Sequence, residues 1–433
     1  MSSTPKYRWE LLALLSCAFF FHQADRAIFG VLLSSIKEDL KLSDDQLGFA
    51  ASVLFFTLAV MVPIAGYIAD RFSKKWIITI SLIFWSFATL LTGLAQGFAG
   101  IILFRSVATA GGESFYAPSA YPLLAAYHTA TRSIAMAVHQ AALYAGLMFS
   151  GFLAAGIAHY FGWRGAFFLF GCCGILLGGV FIFRLRDLPK NIISSENQSN
   201  QPNQSDQQTN PSLSLQKVSL QKAISIFVRN PTVLLLTAGF TAIVFVNNAF
   251  VVWAPVFIES KFSVSKIEAG GYVMLYHHLT AFCGILCGGF LTDRLVVCFP
   301  RFRLFVQFSA MLLGAPAIYC FGMSGSLSAA WFAVAVFGLF RGFYETNTHA
   351  AVFDTVEPQY RGMTVGLMTM TAFLIGSTST ILLGRLSTIF GVKDGLSYGF
   401  ALLSVAYLIG AIAVFTAMTF TFHRNRIIEN HAF

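Results

Sequence analysis

Apolar runs of about 20 residues follow one another along almost the whole chain, and each is long enough to cross the hydrocarbon core of a bilayer. The composition agrees with a lipid environment, because 56% of the 433 residues are apolar and only 11% are charged, against about a quarter in soluble domains. The sequence therefore predicts an all-α, polytopic membrane protein. Twelve apolar segments can be drawn, at residues 11–34, 46–69, 77–95, 99–127, 133–160, 164–184, 231–258, 268–292, 304–323, 328–355, 362–388 and 397–421.

A polar tract divides these segments into two groups of six. Residues 191–216, NIISSENQSNQPNQSDQQTNPSLSLQ, are rich in Asn, Gln and Ser and cannot bury a core. We therefore expect an N-terminal six-helix bundle at 1–184 and a cytoplasmic linker, partly disordered, at 185–228. A C-terminal six-helix bundle with a short cytoplasmic tail should occupy 229–433.

Lys and Arg are distributed unequally between the two faces of this arrangement. Eighteen of the 28 lie on the face that holds both termini and the linker, and six lie on the opposite face. Because cytoplasmic loops are enriched in Lys and Arg, we expect both termini to lie in the cytoplasm. The membrane itself is expected to be the inner membrane of the cell. The same bias explains the net charge of +9, so no nucleic-acid partner is expected.

The two halves repeat a short motif at equivalent places. GYIADRFSKK (66–75) closes the second segment and GFLTDR (289–294) closes the eighth. Parallel repeats of this kind place a solute site between the halves, near the bilayer midplane. The first motif resembles the signature loop of the major facilitator superfamily of secondary transporters, and the division into six and six segments is similar to the organisation of that superfamily. The resemblance implies two six-helix bundles around a central cavity and transport by alternating access.

The same resemblance implies a conformational gate in the loop that follows the second segment. In this family the acidic residue of the loop clamps a neighbouring span while the carrier is open to the outside. The residues that inherit this gate are Gly66, Asp70, Arg71, Lys74 and Lys75, with Asp293 and Arg294 as counterparts in the second half.

The sequence resembles two subfamilies of this superfamily more closely. ADR in the first segment is similar to the Y-x-D-R of anion:cation symporters, which import sugar acids with protons. GGESFYAPSA (111–120) resembles spinster-like transporters. In both groups a first-span Arg and a fourth-span Glu are central to binding and coupling, which implies these roles for Arg26 and Glu113. Arg105 precedes Glu113 by eight residues, one more than the resemblance implies.

Charged side chains within apolar segments suggest a coupling chemistry. An ionised group at the bilayer centre costs at least about 3 kcal/mol, which is tolerated beside a partner or a watery cavity. Asp25 and Arg26 are adjacent and cannot pair face to face on a helix, so we expect Arg26 to meet Glu113. A carboxylate solute bound by Arg26 would leave Glu113 or Asp25 free to take up a proton. Glu345 is a third candidate for proton coupling, and the alternative is that these charges only brace the helices.

Polar residues within several segments are candidates for contact with the solute. Amide and hydroxyl groups in hydrocarbon need partners, which are either a hydroxyl-rich ligand or a neighbouring helix, at under about 1 kcal/mol per bond. The candidates are His139, Gln140, Tyr144, Asn247, Asn248, Tyr344 and Asn347.

The sequence thus favours a proton-coupled importer of a small organic anion, either a sugar acid or another carboxylate, acting as a monomer in the bilayer. One alternative is a spinster-like exporter of a lysolipid or another amphiphile, and a second is a transporter-like sensor. The sequence has no His/Cys cluster with metal-ligand spacing and no GxxxxGK[ST] motif. We therefore expect no metal, no cofactor and no enzymatic activity.

Overall fold

The computed structural model describes residues 5–187, 220–296, 298–299 and 301–426. The polar tract for which disorder is predicted, and most of the predicted C-terminal tail, lie outside the described residues. Within them every regular element is helical, as expected of segments that must satisfy their own backbone hydrogen bonds in lipid.

The helices agree in place with the predicted segments and are numbered here as spans. They are Pro5–Val31 (span one), Asp44–Ala69 (span two), Lys74–Thr92 (span three), Phe98–Gly100 with Ile101–Thr109, Ala110–Glu113 and Tyr116–Tyr127 (span four), Arg132–Arg184 (spans five and six), Pro231–Phe262 (span seven), Lys266–Leu295 (span eight), Phe302–Gly322 (span nine), Leu327–Glu345 with Thr348–Phe353 (span ten), Arg361–Gly376 with Thr378–Phe390 (span eleven), and Val392–Thr416 with Ala417–Thr421 and Phe422–Asn425 (span twelve). The remaining elements are Leu33–Leu40, Leu220–Arg229 and the turn Pro358–Tyr360.

Among the described residues, ten helices are long and apolar enough to cross a membrane. The helix Arg132–Arg184 contains two spans, because Gly162 has φ 68° and ψ 171° and interrupts the helical conformation. Glycine adopts this positive φ without steric cost. Span four is divided into short helices and completes the set. The structure therefore agrees with twelve predicted spans.

The two halves touch most closely at one end of the bundle. We call the end that holds residues 70–75 and 184–187 the linker face, and the opposite end the far face. In the half of the bundle nearer the far face, three crossings between the halves have glycine at the contact. A Cβ at Gly30 would overlap a carbonyl oxygen of span seven, one at Gly48 a carbonyl oxygen of span eleven, and one at Gly151 the backbone of span eight.

Polar contacts add to this closure at the far face. The hydroxyl of Ser34 donates to Glu259 at 2.6 Å, which joins the short helix Leu33–Leu40, directly after span one, to span seven. Arg385 pairs with Asp45 at 2.9 Å between spans eleven and two. The halves are therefore held together at the far face, both by backbone proximity and by charged side chains.

Replacing Gly151 by Leu should separate the halves at the far face, because the new side chain would overlap the backbone at Gly270. In a background without the native cysteines, a Cys introduced at Ser34 should react several-fold faster with a membrane-impermeant maleimide. The matched control is Gly156→Leu in the same span, since a Cβ there meets nothing within 4 Å. Equal labelling of the two variants would show that the crossing does not hold the far face closed.

Candidate functional site

Two ion pairs join span one to span four. The Nε of Arg26 donates to the Oε2 of Glu113 at 2.7 Å. One residue earlier, Asp25 Oδ2 lies 3.3 Å from Arg105 Nη1. Adjacent residues on a helix point about 100° apart, so each of the two charges meets a different part of span four. The expected contact between Arg26 and Glu113 is therefore confirmed.

The Asp25–Arg105 pair is enclosed by protein. The Arg105 side chain is fully buried and that of Asp25 is 4% exposed. Arg105 also donates to the backbone oxygens of Asp25, at 2.7 Å, and of Arg26, at 3.4 Å. The hydroxyl of Thr89 on span three donates to Asp25 at 2.8 Å. These bonds give the pair the character of a brace between spans one, three and four.

The Arg26–Glu113 pair differs because one partner reaches a cavity. The Arg26 side chain is 22% exposed, whereas that of Glu113 is buried. Glu113 uses only Oε2 for the pair, and its Oε1 is buried without a hydrogen-bond partner among the described residues. His22 Nε2 lies 3.2 Å from the backbone oxygen of Glu113, and Gln23 lies 2.9 Å from the other ring nitrogen.

A π-helical segment explains why Arg105 and Glu113 can both face span one. Seven residues make about two turns of an α-helix, so a spacing of eight would turn one of the two side chains away. Residues Ile101–Thr109 form a π-helix, whose i→i+5 hydrogen bonds take up additional residues in each turn. The extra residue between Arg105 and Glu113 is accommodated in this way. Wide turns of this kind occur often at functional sites.

The cavity beside Arg26 has a volume of about 660 Å³ and is lined by spans one, two, four and eleven. It extends from Arg26 and Glu113 toward the linker face, where Pro122 and Gly362 contribute to its wall. Both halves of the chain therefore enclose it, as expected for a solute site between parallel repeats.

Most of the other predicted solute-contacting residues are placed elsewhere. His139 is buried, lies 3.0 Å from the Tyr116 hydroxyl and stacks on Phe19. Gln140 accepts a hydrogen bond from Tyr121 at 3.4 Å. Asn347 donates to Thr292 at 3.1 Å and so ties span ten to span eight. None of the predicted polar residues other than Arg26 and Glu113 is among those that line the cavity.

Asn247 and Asn248 stand on span seven without complete hydrogen bonding. Among the described residues, Asn247 Oδ1 and Asn248 Nδ2 are buried and have no partner. Tyr344, on span ten, is 1% exposed, and its hydroxyl lies against Gly239 of span seven. These three side chains remain predicted solute contacts that this conformation does not bring to the cavity.

A second group of ionisable side chains lies in the C-terminal half. Arg341 Nη2 is 3.4 Å from Glu345 Oε2, and Arg341 Nη1 is 3.1 Å from His277. The hydroxyl of Tyr144, on span five, donates to Glu345 at 3.1 Å. Tyr144 and Glu345 therefore form a polar contact between the halves, away from the Arg26 cavity.

The loop motif lies entirely within its own half. Asp70 is exposed and, among the described residues, forms no ion pair. Arg71 lies 3.4 Å above the ring of Tyr67, and Lys75 donates to the backbone oxygen of Ile182 at 2.9 Å. Lys74 donates to the backbone oxygen of Ala69.

The equivalent motif of the second half has a similar arrangement. Arg294 lies 4.1 Å above the ring of Phe290, four residues earlier, as Arg71 lies above Tyr67. Asp293 is exposed. Neither acidic residue clamps the opposite half in this conformation, and a Cβ at Gly66 would meet nothing within 4 Å.

Several residues of the site were missed by sequence reasoning. Thr89 binds Asp25, and Ser114, Thr369 and Phe373 line the cavity. Ser114 follows Glu113 directly, which was a usable signal. Single Thr and Phe residues in apolar spans carry no comparable signal, since most residues of this type face lipid or a neighbouring helix.

Metal binding has no support in the part of the chain that the structure describes. Within it, no three His, Cys, Asp or Glu side chains are grouped so that they could hold a metal ion. Arg26 presents its guanidinium group to the cavity, and such a group can bind an anion.

Comparison with known proteins identifies relatives over most of the chain. A family model described as Major Facilitator Superfamily matches residues 15–380. The probable galactarate/D-glucarate transporter GudP of Bacillus subtilis (strain 168) is 26% identical over 414 residues, which cover 90% of this chain and 87% of that protein. Protein spinster of Drosophila melanogaster is 25% identical over 328 residues, which cover 73% of this chain and 51% of spinster. The chain thus spans about half the length of spinster.

Solved structures show the same fold. A bacterial homologue of the human lysosomal transporter spinster, in an inward-facing and unoccupied conformation, matches with a TM-score of 0.83 at 22% identity, over 99% of this chain and 100% of that one. The nucleoside transporter NupG matches with a TM-score of 0.73 at 13% identity, over 94% and 99%. The predicted fold is therefore confirmed.

The two ion pairs should respond differently to loss of one charge. Asp25→Asn leaves Arg105 buried without its counter-ion, and arginine cannot release its proton to become neutral. We expect a loss of about 3–5 kcal/mol in stability. Arg26→Gln leaves Glu113, which can become neutral by binding a proton, so the loss should be much smaller. The apparent Tm in detergent measures both, and equal losses would contradict the distinction.

Proposed function

Because the chain belongs to the major facilitator superfamily, we propose that it is a proton-coupled symporter that carries a small organic anion by alternating access. The chain is a multi-pass membrane transporter, and a probable galactarate/D-glucarate transporter is among its relatives. The observation that carries the proposal is the Arg26–Glu113 pair, which stands in the wall of a cavity enclosed by both halves.

The linker face is assigned to the cytoplasm in this proposal. The predicted topology assigns eighteen of the 28 Lys and Arg to that face, as expected for a cytoplasmic face. The cavity then extends toward the cytoplasm while the far face is closed. A bacterial inner membrane is the proposed compartment, and a monomer suffices because one chain supplies both bundles.

Arg26 is the proposed anchor for the anion. Its Nε is bonded to Glu113, and its two Nη groups have no partner among the described residues. A guanidinium group binds a carboxylate through two parallel N–H donors. An incoming carboxylate can therefore approach Arg26 from the cavity while Glu113 is still bonded on the other side.

Glu113 is the proposed proton carrier. When the substrate carboxylate takes over Arg26, Glu113 is left buried without a counter-ion, and a buried anion in that position is costly. Binding a proton removes the cost. Substrate and proton thus stabilise each other, which is the thermodynamic requirement for symport. Asp25 does not take this role in the scheme, because Arg105 and Thr89 hold it away from the cavity.

Conformational change follows from the same exchange. With substrate and proton bound, the charges at the cavity wall are balanced, and the halves can close around the solute. The far face would then open by separation of the glycine crossings, while Asp70 and Asp293 approach partners across the linker face. Glu345 remains a predicted candidate for proton coupling, bonded to Arg341 and Tyr144 in this conformation.

A second candidate function is export of a lysolipid or another amphiphile. One observation favours it: an apolar groove of about 800 Å³ lies between spans two, three and four. Gly112 and Phe115 line this groove, next to the residues that line the central cavity. An acyl chain could lie there while a headgroup reaches Glu113.

Glu113→Gln should retain binding of the anion but remove its dependence on the proton gradient. The amide mimics the protonated acid, so Arg26 stays available and no proton is exchanged. Uptake into proteoliposomes at two inside pH values measures the effect, with binding followed by thermal shift. The control is Glu10→Gln, because Glu10 pairs with Arg184 near the linker face. Gradient-driven accumulation by Glu113→Gln would contradict the proposed proton carrier.

Competition separates the two candidate functions. If a small organic anion is the substrate, a water-soluble carboxylate should displace a bound fluorescent carboxylate, and Arg26→Gln should abolish binding of the fluorescent carboxylate itself. If an amphiphile is the substrate, a lysolipid should compete at lower concentration. Competition by lysolipid alone would remove the organic-anion proposal and favour export.

A further inference from the structure

The charge of the cavity wall limits the charge of the solute. Among the described residues that line the cavity, Arg26 is the only Lys or Arg and Glu113 the only Asp or Glu. Once Glu113 carries a proton, the net charge of the wall is +1, from Arg26, and a single carboxylate neutralises it. The next cation, Arg105, is fully buried and bonded to Asp25, so a second carboxylate would be left without a partner.

The hydrogen-bonding groups of the wall are mostly engaged already. Gln23 is bonded to His22, and Ser114 donates to the backbone oxygen of Ala110 at 2.8 Å. Tyr121 donates to Gln140 at 3.4 Å. Thr369 is the remaining hydroxyl of the lining. A solute with a hydroxyl on every carbon would lose its hydrogen bonds to water and find few replacements.

Apolar side chains make up the rest of the wall on both sides of Arg26. Span two supplies Leu58 and Val62, and span eleven supplies Val365, Met370 and Phe373. The volume of about 660 Å³ lies within the range of small-molecule sites, which are mostly apolar with a few polar groups for orientation. These residues therefore form a mostly apolar cavity with a single cationic side chain in its wall.

The geometry points to a monocarboxylate with an apolar body as the solute, bound with its carboxylate on Arg26 and its body between Val62 of span two and Met370 of span eleven. This inference rests on the proposed function of the same site. It separates the protein from a carrier of hydroxylated dicarboxylates such as galactarate or glucarate, because neither the charges nor the hydrogen bonds of the wall match such a solute.

Binding to the full chain in lipid nanodiscs, at pH 6, tests the inference. The probes are hexanoate, 3-phenylpropanoate, gluconate, glucarate, hexanamide and lysophosphatidylcholine. We expect hexanoate and 3-phenylpropanoate to bind at least tenfold more tightly than gluconate or glucarate. Hexanamide should bind at least tenfold more weakly than hexanoate, because it lacks the charge that Arg26 recognises.

Different results would overturn different claims. Tighter binding of gluconate or glucarate than of both apolar acids would overturn the inference and leave the symport proposal intact. Tightest binding by lysophosphatidylcholine would overturn the inference in favour of an amphiphile. No Arg26-dependent binding of any carboxylate would overturn the proposed function as well.

A variant of the cavity wall tests the same inference by mutation. Met370→Gln adds an amide to the chamber, so the preference for hexanoate over gluconate should fall by at least fivefold. The control is Ile375→Gln on the same helix, where the side chain is 50% exposed and lines a separate, peripheral cavity. An unchanged preference in Met370→Gln, with the variant folded by its Tm, would contradict contact between Met370 and the solute.

Discussion

The arrangement of the whole site depends on one constraint, the turn of about 100° between adjacent residues of a helix. Asp25 and Arg26 have opposite charges but cannot satisfy each other, so each requires a partner on span four. Arg105 and Glu113 supply those partners. The two pairs differ in burial, because the Asp25–Arg105 pair is enclosed by helices and the Arg26–Glu113 pair lines the cavity. A buried brace and an ion pair at the cavity wall thus stand one residue apart, so that the brace fixes the position of the pair beside it.

Much of the fold followed from simple sequence rules, and one of the two ion pairs, Arg26–Glu113, followed from chemistry, whereas the pairing of Asp25 with Arg105 was not predicted. The apolar runs predicted the spans, and an Arg and a Glu in lipid predicted each other. The residues that line the cavity could not be predicted in the same way. Asn247 and Asn347 are the right residue types for a ligand, but the face of the helix that each occupies depends on tertiary packing. Asn347 turned out to bind Thr292, and the apolar wall of span eleven carries no sequence signal.

The two halves repeat in architecture and differ in chemistry. Each loop motif places an Arg over an aromatic ring four residues earlier. Within the spans, however, the N-terminal half presents an ion pair to the chamber, whereas Arg341 and Glu345 of the C-terminal half are joined to His277 and Tyr144. The polar centre of one repeat lines the cavity, and that of the other joins the two halves through Tyr144 and Glu345.

The glycine crossings near the far face have a consequence for the energy that the membrane stores. At Gly30, Gly48 and Gly151 main chain meets main chain, so that no side chain fits between the helices at these three points. Protons cross a membrane protein along files of water. Under the proposed coupling, contacts this close would keep such a file from forming at these crossings while the cavity is hydrated from the other side, and the electrochemical gradient would be spent on the movement of solute.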